Sequence, residues 1–482
     1  MTGAAAVVLA AGEGKRLKSS LPKVLHPAAG RPLLVHVMAA LEDLELDRRL
    51  VVVNPRARED IEAALVGAGF TGVELVEQST PRGTGDAARV ALDALGEFTG
   101  RVLVLSGDTP LIRSETLKTL LATEPRGPAT LLTALVADPF GYGRVIRDQA
   151  RGVGRVVEER DANDVERAVT EVNASIYAFD AQRLPALLAE LTPDNAQGEL
   201  YLTDVPGLLK SAGESVGALE APAEEILGVN SRSELAAVAS LLRRRWCERL
   251  MDEGVAIVDP AVTYIDATVS VGRDAVIHPF TFLEGATTVG EGAEIGPHAR
   301  VVDSDIGPGA SVTFAVVRSS VLGAGASAGP YASLRPGTRL EADARLGSFV
   351  ESKRSVIGEG SKVNHLAYVG DATVGRDVNI GAGTITCNWD GREKHETVIE
   401  DEVYVGSDTM LVAPVRLGRR SATGAGAVVR GDVPPEGLAV GAPARVLAGR
   451  GNRMKPRERG GGSDNEGERS SNRSDPSGHD EN

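Results

Sequence analysis

Aromatic side chains make up only 4% of the 482 residues, although hydrophobic residues of all kinds reach 42%. Cores built from this chain are therefore filled by Val, Leu, Ile and Ala, which favours narrow, repetitive interiors over ones wide enough for large rings. Cysteine is nearly absent: Cys247 and Cys387, far apart in sequence, form no metal cluster by themselves and point to a reduced, intracellular setting. Net positive charge is lacking too. The formal charge of -15 argues against a nucleic-acid partner, whose phosphate backbone needs a basic surface. A local cationic pocket for a small anion stays open. No apolar run approaches the roughly eighteen residues of a membrane span, and the N-terminus has neither the basic start nor the cleavage site of a secretory signal. The expectation is a cytoplasmic chain with no membrane and no nucleic-acid partner.

What is present falls into segments. Residues 4–9, 49–53 and 101–105 are short apolar runs with helical patterns such as "LLVHVMAALEDL" between them, an alternation that predicts a parallel α/β sheet. Between 226 and 254 the pattern changes to one long connecting helix. Ser231 and Glu234 have the spacing of a capping box, and Leu235, Val238, Leu242, Trp246 and Leu250 form one stripe.

After Gly254 the period changes again. Ile265, Val271, Ile277, Leu283, Val289, Ile295 and Val301 recur six apart, and the series resumes, shifted, at Leu340 and Leu346, at Val363 and Val369, and at Ile399, Val405, Leu411 and Leu417. Six matches neither the helical 3.6 nor a continued alternation, but it fits a short strand plus a corner, repeated. That is a parallel β-helix with aliphatic anchors pointing into a thin prism. The expected organisation is an α/β domain over 1–229, a linker helix over 230–252, a repeat domain over 253–450, and a tail over 451–482 too polar to fold.

The stretch "VVLAAGEGKRLKSSLPKVLH" (7–26) places Gly12 and Gly14 directly after the first strand. A dinucleotide fingerprint would need a third glycine where Leu17 stands, and a phosphate-binding Walker loop would need Ser or Thr where Arg16 follows Lys15. What remains is a general anion site. Glycines let backbone N–H groups approach, a following helix N-terminus adds its dipole, and Arg16 and Lys23 supply charge. A Gly-x-Gly after a strand is, taken alone, equally a turn.

The whole string, Leu-Ala-Ala-Gly-x-Gly-x-Arg-Leu and then Pro-Lys, resembles the signature of sugar-nucleotide pyrophosphorylases, and "GDTPL" (107–111) resembles their second motif. With "QSTPRGTGDA" (78–87), "GYGRV" (141–145), "VEERDA" (157–162), "EVNASIY" (171–177), "GELYLTDV" (198–205) and "GVNSR" (228–232), followed by hexapeptides, the chain is similar over roughly residues 5–450 to one bacterial family. These are the bifunctional N-acetylglucosamine-1-phosphate uridylyltransferase / glucosamine-1-phosphate N-acetyltransferases.

The resemblance implies an α/β nucleotidyltransferase domain with a Rossmann-like, mixed, mostly parallel sheet, followed by a left-handed parallel β-helix that forms homotrimers. It implies acetylation of glucosamine 1-phosphate by acetyl-CoA, then transfer of UMP from UTP to N-acetylglucosamine 1-phosphate with release of pyrophosphate, feeding cell-wall peptidoglycan synthesis. The alternative is a monofunctional pyrophosphorylase whose β-helix only oligomerises or regulates.

In the uridylyl transfer both partners are anions and the substrate brings its own nucleophile, so cations, a metal and positioning groups are what the chemistry needs. The resemblance gives uridine to Leu9, Ala10, Ala11, Gly12, Gln78, Gly83 and Thr84, the departing pyrophosphate to Arg16, and the triphosphate to Lys23. It gives Mg2+ to Asp108 and Asn230, and the acetylated sugar to Gly143, Glu158 and Asn173. Acetyl transfer needs a base for the amine, donors for the thioester oxyanion and cations for the sugar phosphate. The motifs "LRPGTRL", "ESKRS", "VNHLAYVGD", "VNIGAGTITCNWDG" and "REKHET" imply His365 as that base, Arg335 and Lys353 on the phosphate, and Tyr368, Asn379 and Lys394 on the sugar. The resemblance puts Lys394 on an excursion loop (387–396) that reaches a neighbouring subunit. Ala382, Asn388, Trp389, Ser407 and Ala425 are implied for acetyl-CoA. Trp389 stands where the family usually has Tyr, and Ala442 where some members have an arginine for coenzyme A, with Arg445 as the substitute. Cys387 is not needed as a nucleophile.

Overall fold

The computed structural model describes residues 3–12, 14–123 and 127–450, so the expected disordered tail over 451–482 lies outside the described residues. The chain divides into two compact units between Arg354 and Ser355.

The first unit opens with a nine-stranded mixed sheet. Its main path runs Val216–Glu220, Ala129–Leu135, Glu171–Asp180, Gly100–Ser106, Gly3–Leu9, Arg48–Val53 and Val73–Glu77. All neighbours are parallel except Glu171–Asp180, which is antiparallel on both sides. The three apolar runs read from sequence are the central strands. They are apolar without alternation because both faces are covered. Val8, Val51, Val53, Leu103 and Leu105 face one cluster with helices Leu33–Ala40, Arg58–Gly67 and Ser114–Ala122. Val7, Leu50, Val52, Val102 and Val104 face the other, with Thr84–Leu95 and Leu184–Ala189.

The long helix is Arg232–Asp252. Ser231 caps it by accepting from the Glu234 backbone N–H, while the Glu234 carboxylate accepts from the Ser231 N–H. Of the expected stripe, Val238 and Leu250 are buried, and Leu235 and Leu242 pack partly against a cluster of Leu17, Ala28, Leu33, Leu111 and Val229.

From Ala256 the first unit winds into coils of short parallel strands, three ladders of which carry the hexapeptide anchors. Ile265 pairs with Leu283 and Leu283 with Val301, one coil apart, and Ile277 pairs with Ile295. Six of the seven expected anchors are buried, while Val271 is half-buried. The sequence gap between Val301 and Leu340 is filled by Ile306, Val312, Val317, Leu322, Ala328 and Leu334, all buried. They escape a strict six-residue count because the coils there are shorter: Val289 pairs with Ile306, and Ile306 with Leu322. Corners are turned by non-glycine residues in left-handed backbone, among them Asp274, His298, Phe314, Tyr331 and Phe349.

The second unit repeats this left-handed parallel β-helix architecture. Val363 pairs with Ile380 and Ile380 with Val405; Val374 pairs with Ile399 and Ile399 with Leu417. The coil after Ile385–Cys387 is lengthened by a loop before Thr397–Ile399. Arg445–Leu447 folds back antiparallel on Leu438–Val440. Among the described residues no helix is long and apolar enough to cross a membrane.

Candidate active sites

The first strand and Gly100–Ser106 are parallel neighbours whose ends meet at Leu9 and Ser106, and the Gly107 N–H donates to the Leu9 carbonyl at 2.9 Å. This register brings the glycine loop and Gly-Asp-Thr-Pro to one edge, the carboxyl end where open α/β sheets place ligands. Gly14 sits in left-handed backbone at φ 62°, and a Cβ there would lie 2.6 Å from Lys23 Cβ. Only glycine lets the loop close over Lys23.

One expectation is corrected. The loop leads into a single 3-10 turn, Lys15–Leu17, rather than an α-helix, so no helix dipole of consequence points at the site and side-chain charge must do that work. Leu17 is 2% exposed within the apolar cluster beneath the long helix, which accounts for a leucine where a dinucleotide fingerprint has glycine.

The Asp108 carboxylate accepts from Ser106 Oγ at 2.5 Å and is ion-paired with Lys23. The Asp108 carbonyl accepts from the Val229 N–H at 3.0 Å, which sets Asn230 alongside, and Lys23 Nζ donates to Asn230 Oδ1 at 2.7 Å. A cationic head group thus already sits between a carboxylate and an amide oxygen. Those donors fit a hard divalent ion that keeps several water or phosphate ligands. Among the described residues no group of three or more His, Cys, Asp or Glu is arranged for a metal.

Around this centre every residue expected at the first site lines one of two adjoining cavities. The larger, about 550 Å³, holds Leu9, Ala10, Ala11, Gly12, Arg16, Lys23, Gln78, Gly83, Thr84, Asp108, Glu158 and Asn230. The smaller, about 330 Å³, shares Arg16, Asp108, Glu158 and Asn230 and adds Gly143 and Asn173. Burial pushes the Glu158 carboxyl up, opposed by a hydrogen bond from Thr203 Oγ1 at 3.0 Å and reinforced by Asp161 and Asp204. Asn173 donates to Tyr177 Oη at 2.7 Å, while its buried Oδ1 has no partner among the described residues, an acceptor suited to a ligand hydroxyl. Sequence reading missed Ser106, Asp86 and Ser175. Ser175 lines both cavities at φ 56°, inside the irregular pairing between Asn173 and Tyr177, and its signal was its place within "EVNASIY".

The residues expected for acetyl transfer fall in both units. In the first, the pairing of Leu334 with Ser352 puts Arg335 and Lys353 at equivalent positions on successive coils, with Arg335 donating to Glu351 at 2.8 Å. In the second, His365 ends the strand Lys362–His365 and is exposed, two residues beyond the inward anchor Val363. Asn379 begins the strand paired with it. Asn388 is buried, donating to the Asp371 carboxylate and, at 3.4 Å, to Tyr368 Oη, which ties it to the tyrosine expected on the sugar. Asp371 is a further residue that motif reading passed over.

Trp389 and Lys394 bridge across the excursion loop, both exposed, and the His395 ring is hydrogen-bonded to the Asp390 carboxylate at 2.7 Å at its base. Ala382, Ser407 and Ala425 stack on one corner: the Asp408 N–H donates to Ala382 O at 2.7 Å and the Gly426 N–H to Ser407 O at 2.8 Å. Arg445 is exposed on the terminal strand. Burial raises the Cys387 thiol, consistent with a protonated bystander.

Known proteins resemble this chain along most of its length. Residues 6–170 match the family model for MobA-like NTP transferase domains. The bifunctional protein GlmU of Streptomyces avermitilis is 49% identical, covering 91% of this chain and 91% of its own. That of Mycolicibacterium vanbaalenii is 48% identical over 95% of this chain and 94% of its own, and that of Desulfitobacterium hafniense strain Y51 is 46% identical over 90% and 95%. Likeness at this level spans both the nucleotide-transferase half and the β-helix, and the chain belongs to the family of bifunctional GlmU proteins.

Proposed function

We propose that the chain makes UDP-N-acetylglucosamine in two steps, each run by its own set of residues, and that the convergence of Lys23, Asp108 and Asn230 at the sheet edge is the observation that carries the uridylyl step. The 1-phosphate oxygen of N-acetylglucosamine 1-phosphate attacks the α-phosphorus of UTP, and the bond to pyrophosphate breaks. Leu9 to Gly12, Gln78, Gly83 and Thr84 hold the uridine. Arg16 steadies the leaving pyrophosphate, Lys23 the triphosphate, and Gly143, Glu158 and Asn173 orient the sugar. Mg2+, when bound by Asp108 and Asn230, supplies charge neutralisation between the two anions. Lys23 and Asp108 line the same cavity, so the ammonium group can turn from the carboxylate to the phosphate oxygens of a bound triphosphate.

For the preceding step, exposed His365 accepts the amine proton of glucosamine 1-phosphate as its nitrogen attacks the acetyl-CoA thioester, and coenzyme A leaves as the thiol. Arg335 and Lys353 neutralise the sugar phosphate; Tyr368, Asn379 and Lys394 hold the sugar; Ala382, Asn388, Trp389, Ser407, Ala425 and Arg445 receive acetyl-CoA. The working form is a cytoplasmic homotrimer, free of membrane and nucleic acid. The monofunctional alternative loses to the near-complete likeness with proteins named bifunctional. Supplying glucosamine 1-phosphate, acetyl-CoA, UTP and Mg2+ together and identifying products by mass tests the proposal. UDP-N-acetylglucosamine with free coenzyme A is expected; absence of either product refutes it.

A further inference from the structure

The cavity wall that takes uridine contains one amide whose orientation is fixed by the fold. Gln78 is 5% exposed, and its Nε2 donates to Asp86 Oδ2 at 2.9 Å and to the Gly83 carbonyl at 3.2 Å. A primary amide has two protons, so both are used inside the protein. Asp86 is itself buried at 3% exposure, and its other oxygen accepts from Arg89 at 2.6 Å, with Arg82 nearby at 3.7 Å. Burial works against its charge, but the hydrogen bonds from Gln78 and Arg89 and the two guanidinium groups outweigh it and hold its carboxyl below the usual range. An ionised carboxylate accepts and never donates. Gln78 therefore cannot flip without setting its oxygen against a carboxylate and a carbonyl.

We propose that Asp86 is a positioning residue that selects the pyrimidine: by holding the Gln78 amide protons it leaves only the Oε1 acceptor for the base, so the cleft takes a ring that offers an N3–H and refuses cytosine, whose N3 is an acceptor. This rests on the reading of Gln78 as a contact to the base. Uracil and thymine both offer N3–H, so the device separates them from cytosine and not from each other. The consequence of Asp86→Asn is set by Arg89. The guanidinium keeps the Asn oxygen on its side, the Asn NH2 turns to Gln78, and Gln78 flips to accept it, opposed only by the Gly83 carbonyl. The group facing the base becomes a donor.

The test compares kcat/KM for UTP and CTP in wild type, Asp86→Asn and Gln78→Ala. The UTP:CTP ratio is expected to fall roughly tenfold or more in Asp86→Asn, because a buried polar group facing the wrong partner is left unpaired. Equal loss on both nucleotides, or an unchanged ratio, overturns the proposal. If Gln78→Ala leaves the ratio as in wild type, the base-contact reading itself fails; if Gln78→Ala collapses the ratio and Asp86→Asn does not, only the role of Asp86 fails. Should Asp86→Asn not fold, the side-chain amide protons of Gln78 in the wild-type protein, labelled with 15N at glutamine, decide it. Slow exchange of both is expected, and exchange as fast as at exposed glutamines overturns the proposal.

Discussion

Replacing Lys23 by methionine separates its charge from its length. The side chains of Lys23 and Asp108 are only 15% and 12% exposed, so their ion pair is largely removed from water. Breaking a buried pair by removing one partner costs about 3–5 kcal/mol, because the remaining charge is left uncompensated. Residual solvent access and the methionine stem reduce this to about 2–3 kcal/mol. For the unit Met1–Arg354 that lowers Tm by about 3–4 °C. The same substitution vacates the position between Asp108 and Asn230, so a divalent cation no longer competes with an ammonium group.

Thermal unfolding of the full chain is measured with and without millimolar Mn2+ and with no nucleotide present. Mn2+ is expected to raise the Tm of Lys23→Met more than that of wild type and so narrow the gap. An equal Mn2+ response in the two proteins would refute the claim that Lys23 stands in a cation site. Uridylyl transfer is expected to be lost in this variant while acetyl transfer continues.

Other perturbations draw on the same geometry. A carboxyl whose folded pKa is raised keeps its proton where the unfolded chain has lost it, so its contribution to stability is full below the ordinary carboxyl range and declines as pH climbs through the raised value. Glu158 is such a group. Glu158→Gln should therefore be at least as stable as wild type at neutral pH, with the difference vanishing near pH 4, as read from urea unfolding across pH. Gly14→Ala forces a side chain into left-handed backbone and against Lys23 Cβ; a cost of about 1–3 kcal/mol and a raised KM for UTP are expected, measured by urea unfolding and initial rates. Leu283→Ala empties a fully buried anchor of the prism and should cost about 2–5 kcal/mol in the first unit, seen by calorimetry.

The strands and the prism were legible because burial on both faces demands unbroken apolar runs in one case and a six-residue rhythm in the other. Val8 and Val7 go to opposite cores, and Leu283 and Val301 stack one coil apart. Legibility failed where geometry departs from count. Ile306 and Val317 are full members of the prism, hidden from a fixed period by shortened coils. The helix expected after Gly14 is a single 3-10 turn, since glycines announce a loop but not the type of element it leads into. Motifs named the groups proposed to meet ligands, yet not those that hold them. Asp86 behind Gln78, Ser106 behind Asp108 and Asp371 behind Asn388 become visible only once distances are known.

Two reactions on separate folds predict separable losses, and a single assay reads both. Purified Asp108→Ala and His365→Ala proteins are each given glucosamine 1-phosphate, acetyl-CoA, UTP and Mg2+, and products are resolved by mass. Asp108→Ala should accumulate N-acetylglucosamine 1-phosphate with free coenzyme A, whereas His365→Ala should leave glucosamine 1-phosphate unacetylated yet still convert added N-acetylglucosamine 1-phosphate to UDP-N-acetylglucosamine. Loss of both activities from either folded variant, or retention of both, would contradict the two-site account.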